Sequence, residues 1–174
     1  MDIYKVIVLP NPVLRQKANA VTRVDDAVRA QMKKMVETMY AHEGVGLAAN
    51  QVAMLNRIIV IDTARREHDT PNPIAMANPE IVWKSEETWD YKEGCLSIPQ
   101  MYADVVRPKF IKVRYVDEKN QLQEMDAGGL AATCIQHEVD HLDGILFIDH
   151  LSRLKRDTLL KKYEKLQKEA GEIL

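Results

Sequence analysis

Apolar and polar residues in the first third of the chain follow two different patterns. Apolar residues at helical spacing between Val28 and Tyr40 predict a helix that begins near Asp25. The nearly continuous apolar run RIIVID, residues 57–62, is typical of a buried strand. The polar, proline-rich segment that follows, residues 63–73, predicts a loop.

The middle of the chain has the alternation that is typical of antiparallel β-structure. Residues 81–83 predict a short strand. Ile111, Val113 and Tyr115 would share one face of a further strand, KFIKVRYVD. A turn at residues 117–120 leads into QLQEM, which we expect to be the hairpin partner of that strand.

The last third predicts two helices with a strand between them. The apolar segment from Gly129 to Leu142 indicates a helix that is nearly all buried, and ILFID, residues 145–149, predicts a strand. Ser152 is a typical N-cap for a final helix. The apolar positions of this helix form a narrow stripe, Leu154, Leu160, Tyr163 and Leu166.

These elements predict an α+β fold. We expect mixed, mainly antiparallel β-sheets around a buried central helix, with an N-terminal helix and a C-terminal basic amphipathic helix. Neither an internal repeat nor a Pro/Gly/Ser-rich linker divides the sequence, so residues 1–174 are predicted to form a single domain. A hydrophobic fraction of 46% excludes the disordered and fibrous classes, and a net charge of −2 gives no general attraction to nucleic acid or acidic membranes.

We expect no secretory leader and no membrane span. The opening residues MDIYKVIVLPNP lack the basic and uninterrupted apolar regions of a leader. No run of residues approaches the ~18 apolar positions that a membrane helix needs. The two cysteines, Cys95 and Cys134, are therefore expected to be reduced, in a cytoplasmic monomer without a membrane partner.

The motif HEVDH, residues 137–141, gives the strongest chemical signal. Its spacing places the imidazoles of His137 and His141 one helical turn apart, so both can reach a single metal ion. Two unpaired imidazoles and two carboxylates buried together would cost several kcal/mol. A divalent cation would satisfy the nitrogens and give Glu138 a water to hold, so the motif predicts a metal site.

A catalytic metal needs a third protein ligand, and several residues can be compared for that role. Phe147 stands where a metzincin has its third histidine, and Glu164 lies among lysines on a polar face. Cys134 is two turns from the second histidine, roughly 10 Å along the helix axis, which is too far. Cys95 in EGCLSIP is the remaining thiolate, and Gly94 removes a side chain where backbone could approach an ion. We therefore predict Cys95 as the third ligand.

The residues alone leave two alternatives open. One is a zinc endopeptidase of the HExxH type with Glu164 as its third ligand. The other is a non-catalytic module in which the metal only holds the helix to the sheet. A set of sulfur and nitrogen ligands suits Zn(II) and also accepts Fe(II), Co(II) or Ni(II), so ligand type does not select the ion.

Three segments in this order resemble the signature motifs of the peptide deformylases. They are GVGLAANQ at residues 44–51, EGCLS at residues 93–97 and QHEVDHLDG at residues 136–144. The resemblance continues through RIIVID and ILFIDHLSRLK, and so covers nearly the whole chain. It implies a metal-dependent hydrolase that removes the formyl group from the N-terminal formylmethionine of newly made polypeptides and releases formate.

The resemblance also implies the roles of individual residues. The implied ligands of one divalent ion, Fe(II) in the native protein, are Cys95, His137 and His141. Glu138 would be the general acid and base, while the Gln51 amide and the backbone N–H of Leu96 would stabilise the oxyanion. The implied methionine pocket consists of Val45, Tyr91, Glu93, Leu130, Thr133, Cys134 and His137.

Two further implications concern the rest of the substrate. Backbone at Val45 and Gly46 and around residues 91–93 would pair with an extended peptide. Tyr102 stands where some members of the family carry arginine near the mouth of the site.

The segment 151–170 has seven basic and three acidic residues, and the resemblance implies that this helix docks on the ribosome near the tunnel exit. The expected contacts are Lys161, Lys162, Lys165 and Lys168.

Overall fold

The computed structural model describes residues 2–64, 66 and 70–173. Its longer helices are α1 (Asp26–Ala41), α2 (Gly129–Leu142) and α3 (Arg153–Ile173). Its strands are β1 (Gly46–Ala48), β2 (Ile58–Ile61), β3 (Ile74–Lys84), β4 (Thr88–Cys95), β5 (Ile98–Pro108), β6 (Phe110–Val116) and β7 (Leu122–Gly128). Four residues of the predicted loop, 65 and 67–69, lie outside the described residues.

The described strands form two antiparallel sheets, which confirms the predicted α+β class. One sheet has the order β1-β2-β3-β6-β7, and the other pairs β4 with β5. The predicted hairpin is β6 and β7, with Val113 opposite Met125. The Asp117 carboxylate closes its turn by accepting hydrogen bonds from the N–H groups of Lys119 and Gln121.

Strand β2 is buried on both faces, which explains its continuous apolar run. Ile59 and Ile61 belong to the core between the large sheet and α2. Ile58 and Val60 belong to the core that α1 forms with Met32, Met35 and Met39. The sheet therefore lies between α1 and α2, and α2 is the buried central helix that the sequence predicts.

The predicted strand at ILFID is wrong. Residues Phe147–His150 form a short 3-10 helix instead. The carboxylate of Asp149 accepts a hydrogen bond from the Leu146 N–H at 2.9 Å, which favours this turn over strand pairing. The apolar character indicated burial correctly, because Phe147 and Ile148 are buried.

Helix α3 begins as predicted, with the Ser152 Oγ accepting from the Lys155 N–H at 3.3 Å. Leu154 does not belong to its buried stripe, because 77% of this residue is exposed. Tyr163 is buried and its hydroxyl donates to the Leu9 carbonyl at 2.7 Å. Together with Leu160 and Leu166, Tyr163 packs α3 against a cluster that includes Cys95.

Candidate metal centre

Helix α2 carries HEVDH into the interior. Its apolar residues pack against the large sheet, which leaves little freedom to rotate the helix about its axis. The Nε2 atoms of His137 and His141 lie 3.3 Å apart, one helical turn from each other. The predicted one-turn arrangement of the two imidazoles is therefore present.

Cys95 reaches the same point from the end of β4. The pairing of β4 with β5 shifts register between Gly94 and Cys95, where the chain turns tightly into β5. The Cys95 Sγ lies 3.3 Å from the His141 Nε2. One ligand atom from each of Cys95, His137 and His141 lies within 4.8 Å of the others, so these residues form a possible metal site.

This donor set suits a transition-metal ion. Two nitrogens at about 2.0–2.1 Å from one tetrahedral ion lie about 3.3–3.4 Å apart, which agrees with the spacing of the imidazoles. Thiolate and imidazole are ligands that Zn(II) and neighbouring divalent ions accept. Glu164, the alternative third ligand, is exposed on α3 and is not a member of the group.

The two histidines differ in their partners. The Nδ1 of His137 donates to the Glu93 Oε1 at 2.8 Å, so Nε2 is the ring nitrogen that faces the cluster. The buried Nδ1 of His141 has no hydrogen-bond partner among the described residues. Burial and the neighbouring His137 lower the pKa of His141 well below its usual value, so its imidazole is neutral and able to bind a metal ion. Burial alone would lower the pKa of His137, but hydrogen bonds to Cys95 and Glu93 outweigh it and raise that pKa well above its usual value.

Glu138 lies beside the cluster without joining it. Its Oε1 is 3.9 Å from the Nε2 atoms of both His137 and His141. Burial raises the pKa of Glu138 to about 7, although the positive charge of His137 acts in the opposite direction. A carboxyl group with a pKa near neutrality can both accept and return a proton, so Glu138 is suited to acid–base chemistry.

A cavity of about 660 Å³ opens beside the cluster. The residues predicted for the site that line it are Val45, Gly46, Gln51, Tyr91, Glu93, Cys95, Leu96, Leu130, Thr133, Cys134, His137 and Glu138. The remaining predicted site residue, His141, is fully buried behind this wall. The three sequence segments therefore meet around one opening.

The amide of Gln51 is held in one orientation by three contacts. Its Oε1 accepts from the Ala48 N–H at 2.9 Å. Its Nε2 donates to the Ser97 Oγ at 3.1 Å and to the Cys95 Sγ at 3.4 Å. The amide nitrogen therefore points towards the cluster. Ser97 is not among the predicted site residues, although it belongs to the segment EGCLS.

Cys134 forms part of the cavity wall. Its Sγ donates to the Val45 carbonyl at 3.4 Å, and burial followed by the charge of Glu138 raises its thiol pKa well above the usual value. Gly94, which is expected to let backbone approach an ion, also borders an aromatic ring. A Cβ atom on Gly94 would lie 2.5 Å from the ring of Tyr102, so this glycine makes room for that ring. Tyr102 is 61% exposed and lies at the cavity.

Comparison with known proteins gives a consistent result. The model of the polypeptide deformylase family matches residues 3–157. The peptide deformylase of Methylocella silvestris is 52% identical over 170 residues, which cover 97% of this chain and 87% of the relative. The peptide deformylase of Phenylobacterium zucineum is 51% identical over 170 residues, which cover 98% of this chain and 100% of the relative.

Solved structures are similar over the same length. The crystal structure of peptide deformylase from Ehrlichia chaffeensis superposes with a TM-score of 0.91 at 35% identity, covering 99% of this chain and 100% of that chain. A complex of the Ehrlichia chaffeensis enzyme with actinonin gives a TM-score of 0.88 at 37% identity, covering 95% of this chain and 98% of that chain.

In the described part of the chain, every helix is too short or too polar to cross a membrane.

Proposed function

The chain belongs to the polypeptide deformylase family, and on this basis we propose how its own residues carry out the reaction. The activity is metal-dependent hydrolysis that removes the N-formyl group from newly made polypeptides. The endopeptidase alternative fits less well, because Glu164 is exposed while Cys95 lies in the cluster. We also infer that residues 1–174 act as one metallohydrolase domain.

The metal would be held by Cys95, His137 and His141. The observation that carries this assignment is the convergence of their ligand atoms beside a buried glutamate. When bound, a divalent ion polarises the substrate carbonyl and lets water ionise near neutral pH. We propose Fe(II) as the native ion, because the family resemblance implies it, with Zn(II), Ni(II) or Co(II) as functional substitutes that the same donor set accepts.

Glu138 would move the protons of the reaction. It takes a proton from the attacking water and passes it to the amine that leaves as the new N-terminus. Its pKa of about 7 supports both steps, because neither the acid nor the carboxylate is strongly favoured at neutral pH. Negative charge that develops on the formyl oxygen would be stabilised by the Gln51 Nε2 and the backbone N–H of Leu96.

The cavity would receive the first residue of the substrate. Apolar wall residues such as Val45, Leu130 and Cys134 suit the flexible thioether of formylmethionine. Backbone at Val45 and Gly46 and around residues 91–93 would pair with the extended peptide, which gives affinity with little demand on later residues. Tyr102 at the opening would contact those later residues.

The exposed face of α3 would bring the enzyme to its substrate. Lys161, Lys162, Lys165 and Lys168 are exposed, whereas Tyr163 on the opposite face is buried. We propose that these lysines contact ribosomal RNA near the tunnel exit, which would raise the local concentration of nascent chains. Because nascent chains are made in the cytoplasm, we propose that the protein acts there, as a monomer.

Metal analysis of anaerobically purified protein, combined with formate release from a formyl-Met peptide, tests the proposal. We expect about one transition-metal ion per chain, loss of formate release after chelation and its recovery on addition of Fe(II). Absence of formate release with Fe(II), Zn(II), Ni(II) and Co(II) in turn would contradict the proposed function.

A further inference from the structure

A line of hydrogen bonds runs from the candidate metal site to the protein surface. The Glu93 carboxylate accepts from the His137 Nδ1 at 2.8 Å. The same carboxylate accepts from the Arg107 Nε at 2.7 Å and Nη2 at 3.0 Å. The Arg107 Nη1 donates to the Asp140 Oδ2 at 2.9 Å, and that oxygen also accepts from the His150 Nε2 at 2.8 Å. The line therefore joins two histidines through three charged groups.

Arg107 fixes the geometry of this line. The side chains of Arg107 and Glu93 are only 5% and 3% exposed. A buried guanidinium has to be fully paired, and its planar fork matches a carboxylate in one orientation. The third nitrogen of Arg107 is held by Asp140, so the position of the guanidinium depends on Asp140 as well as on Glu93.

The line of hydrogen bonds begins on one helix and returns to it. His137 and Asp140 are three residues apart on α2, while Glu93 comes from β4 and Arg107 from β5. The ring of contacts therefore ties the small sheet to the helix that carries the ligands. Asp140 and His150 are the outer members, with side chains 22% and 37% exposed.

The short helix Phe147–His150 touches His137 by a second route. The Phe147 ring stacks on the His137 imidazole, with centroids 6.1 Å apart and planes 22° from parallel. Phe147 thus restrains the face of the imidazole, while Glu93 restrains its Nδ1 edge. Both restraints involve this short helix. Phe147 belongs to it, and its last residue, His150, contacts Asp140, which in turn binds the Arg107 that pairs with Glu93.

We propose that His150, acting through Asp140 and Arg107, is a positioning residue for the metal ligand His137. The proposal rests on the proposed metal site. Hydrogen bonds to the second nitrogen of a ligating histidine set its tautomer and orientation, and loss of such a partner typically costs 10–100-fold in metal affinity or activity. His150 is three contacts further out, so we expect a smaller effect, on the order of 3–10-fold.

The test compares His150→Phe, which removes the donor, with His150→Gln, whose amide nitrogen has similar reach. The measurements on Zn(II)-loaded protein are the metal dissociation constant, the proton resonance of the His137 Nδ1–H, and kcat and KM for a formyl-Met peptide. For His150→Phe we expect weaker metal binding, a shifted resonance and a lower kcat with KM unchanged. His150→Gln should recover most of each value.

Arg153→Gln is the matched surface control, because the Arg153 side chain is 90% exposed and lies three residues away. It should leave all of these quantities unchanged. Since Asp140 transmits the effect, Asp140→Asn combined with His150→Phe should be no worse than Asp140→Asn alone.

Two results would overturn the positioning role. One is a wild-type resonance and metal affinity in His150→Phe. The other is a His150→Gln variant as defective as His150→Phe, with equal loss of Tm, which would indicate a purely structural contact. Failure of the proposed function would be seen separately, as wild-type protein that binds metal but releases no formate.

Discussion

Gly46 lies against Glu138 with no room for a side chain between them. A Cβ atom on Gly46 would lie 2.7 Å from the Glu138 Oε2, 2.8 Å from the Cys134 Sγ and 2.9 Å from the Glu138 Cγ. The family resemblance implies that Gly46 pairs with the substrate through its backbone. The structure adds that its missing side chain makes space for the carboxyl group that we propose as the general acid and base.

Gly46→Ala should therefore lower kcat while the metal is retained. The added methyl group has to displace the Glu138 carboxyl, and a displacement of about 1 Å in a catalytic group can cost on the order of 10²-fold. The measurement is kcat for a formyl-Met peptide at equal metal content. Gly171→Ala is the matched control, because a Cβ there meets nothing within 4 Å. Wild-type kcat in Gly46→Ala would show that the Glu138 carboxyl can move aside without loss of activity.

Cys95→Ser should leave folding largely intact, shift metal preference towards harder ions and reduce activity strongly. Oxygen is a harder ligand than thiolate, so affinity for Zn(II) falls relative to affinity for Mn(II). Competition between these two ions, followed by metal analysis, measures the change. Cys134→Ser is the control that should keep the original preference, since Cys134 is not in the ligand group. Unchanged metal content and rate in Cys95→Ser would mean that the third ligand is another residue.

Cys134→Met should narrow the cavity and favour substrates with a shorter first residue. Cys134 is buried in the wall and lies close to Gly46, so added atoms enter either the cavity or a packed core. The ratio of kcat/KM for formyl-Met and formyl-Ala peptides measures the shift. An unchanged ratio with wild-type Tm would show that residue 134 does not contact the first side chain.

Replacing Lys161, Lys162, Lys165 and Lys168 by glutamate should weaken ribosome binding and reduce its salt dependence. Each lost phosphate contact lowers the dependence of log K on log salt by about one unit. Turnover of a short free peptide should stay the same, because these side chains are on the exposed face of α3. Sedimentation with ribosomes at several salt concentrations checks this. Unchanged binding at moderate salt would show that these lysines do not contact the ribosome and that the helix has a structural role only.

Elements with a strong local pattern were predictable from the sequence. Helix α1, strand β2, the hairpin of β6 and β7, and helix α2 all follow from the spacing of apolar residues. The sheet of β4 and β5 was missed. Its inward and outward positions alternate, but two of the inward positions are occupied by the charged residues Glu93 and Arg107, which interrupts the apolar pattern. These two charged side chains can be buried because they pair with each other. Since they lie on different strands, no local sequence pattern reveals the pairing.

The candidate site was predictable to a similar degree. The one-turn spacing in HEVDH fixes the relation of His137 to His141, whatever surrounds the helix. The arrival of Cys95 from another element followed from elimination of other ligands, and the expected residues of the pocket followed from the family resemblance. Two further hydrogen bonds at the site, from Gln51 to Ser97 and from His150 to Asp140, could not be predicted. They depend on tertiary contacts between residues that are not neighbours in the sequence.

Glu138→Gln separates proton transfer from metal binding when formate release and metal content are measured on the same sample. The amide is nearly the same size as the carboxyl group but cannot take a proton from water. We predict about one metal ion per chain, as in the unaltered protein, and formate release reduced by about 10²-fold or more. Formate release at the unaltered rate, or loss of the metal together with activity, would contradict this prediction.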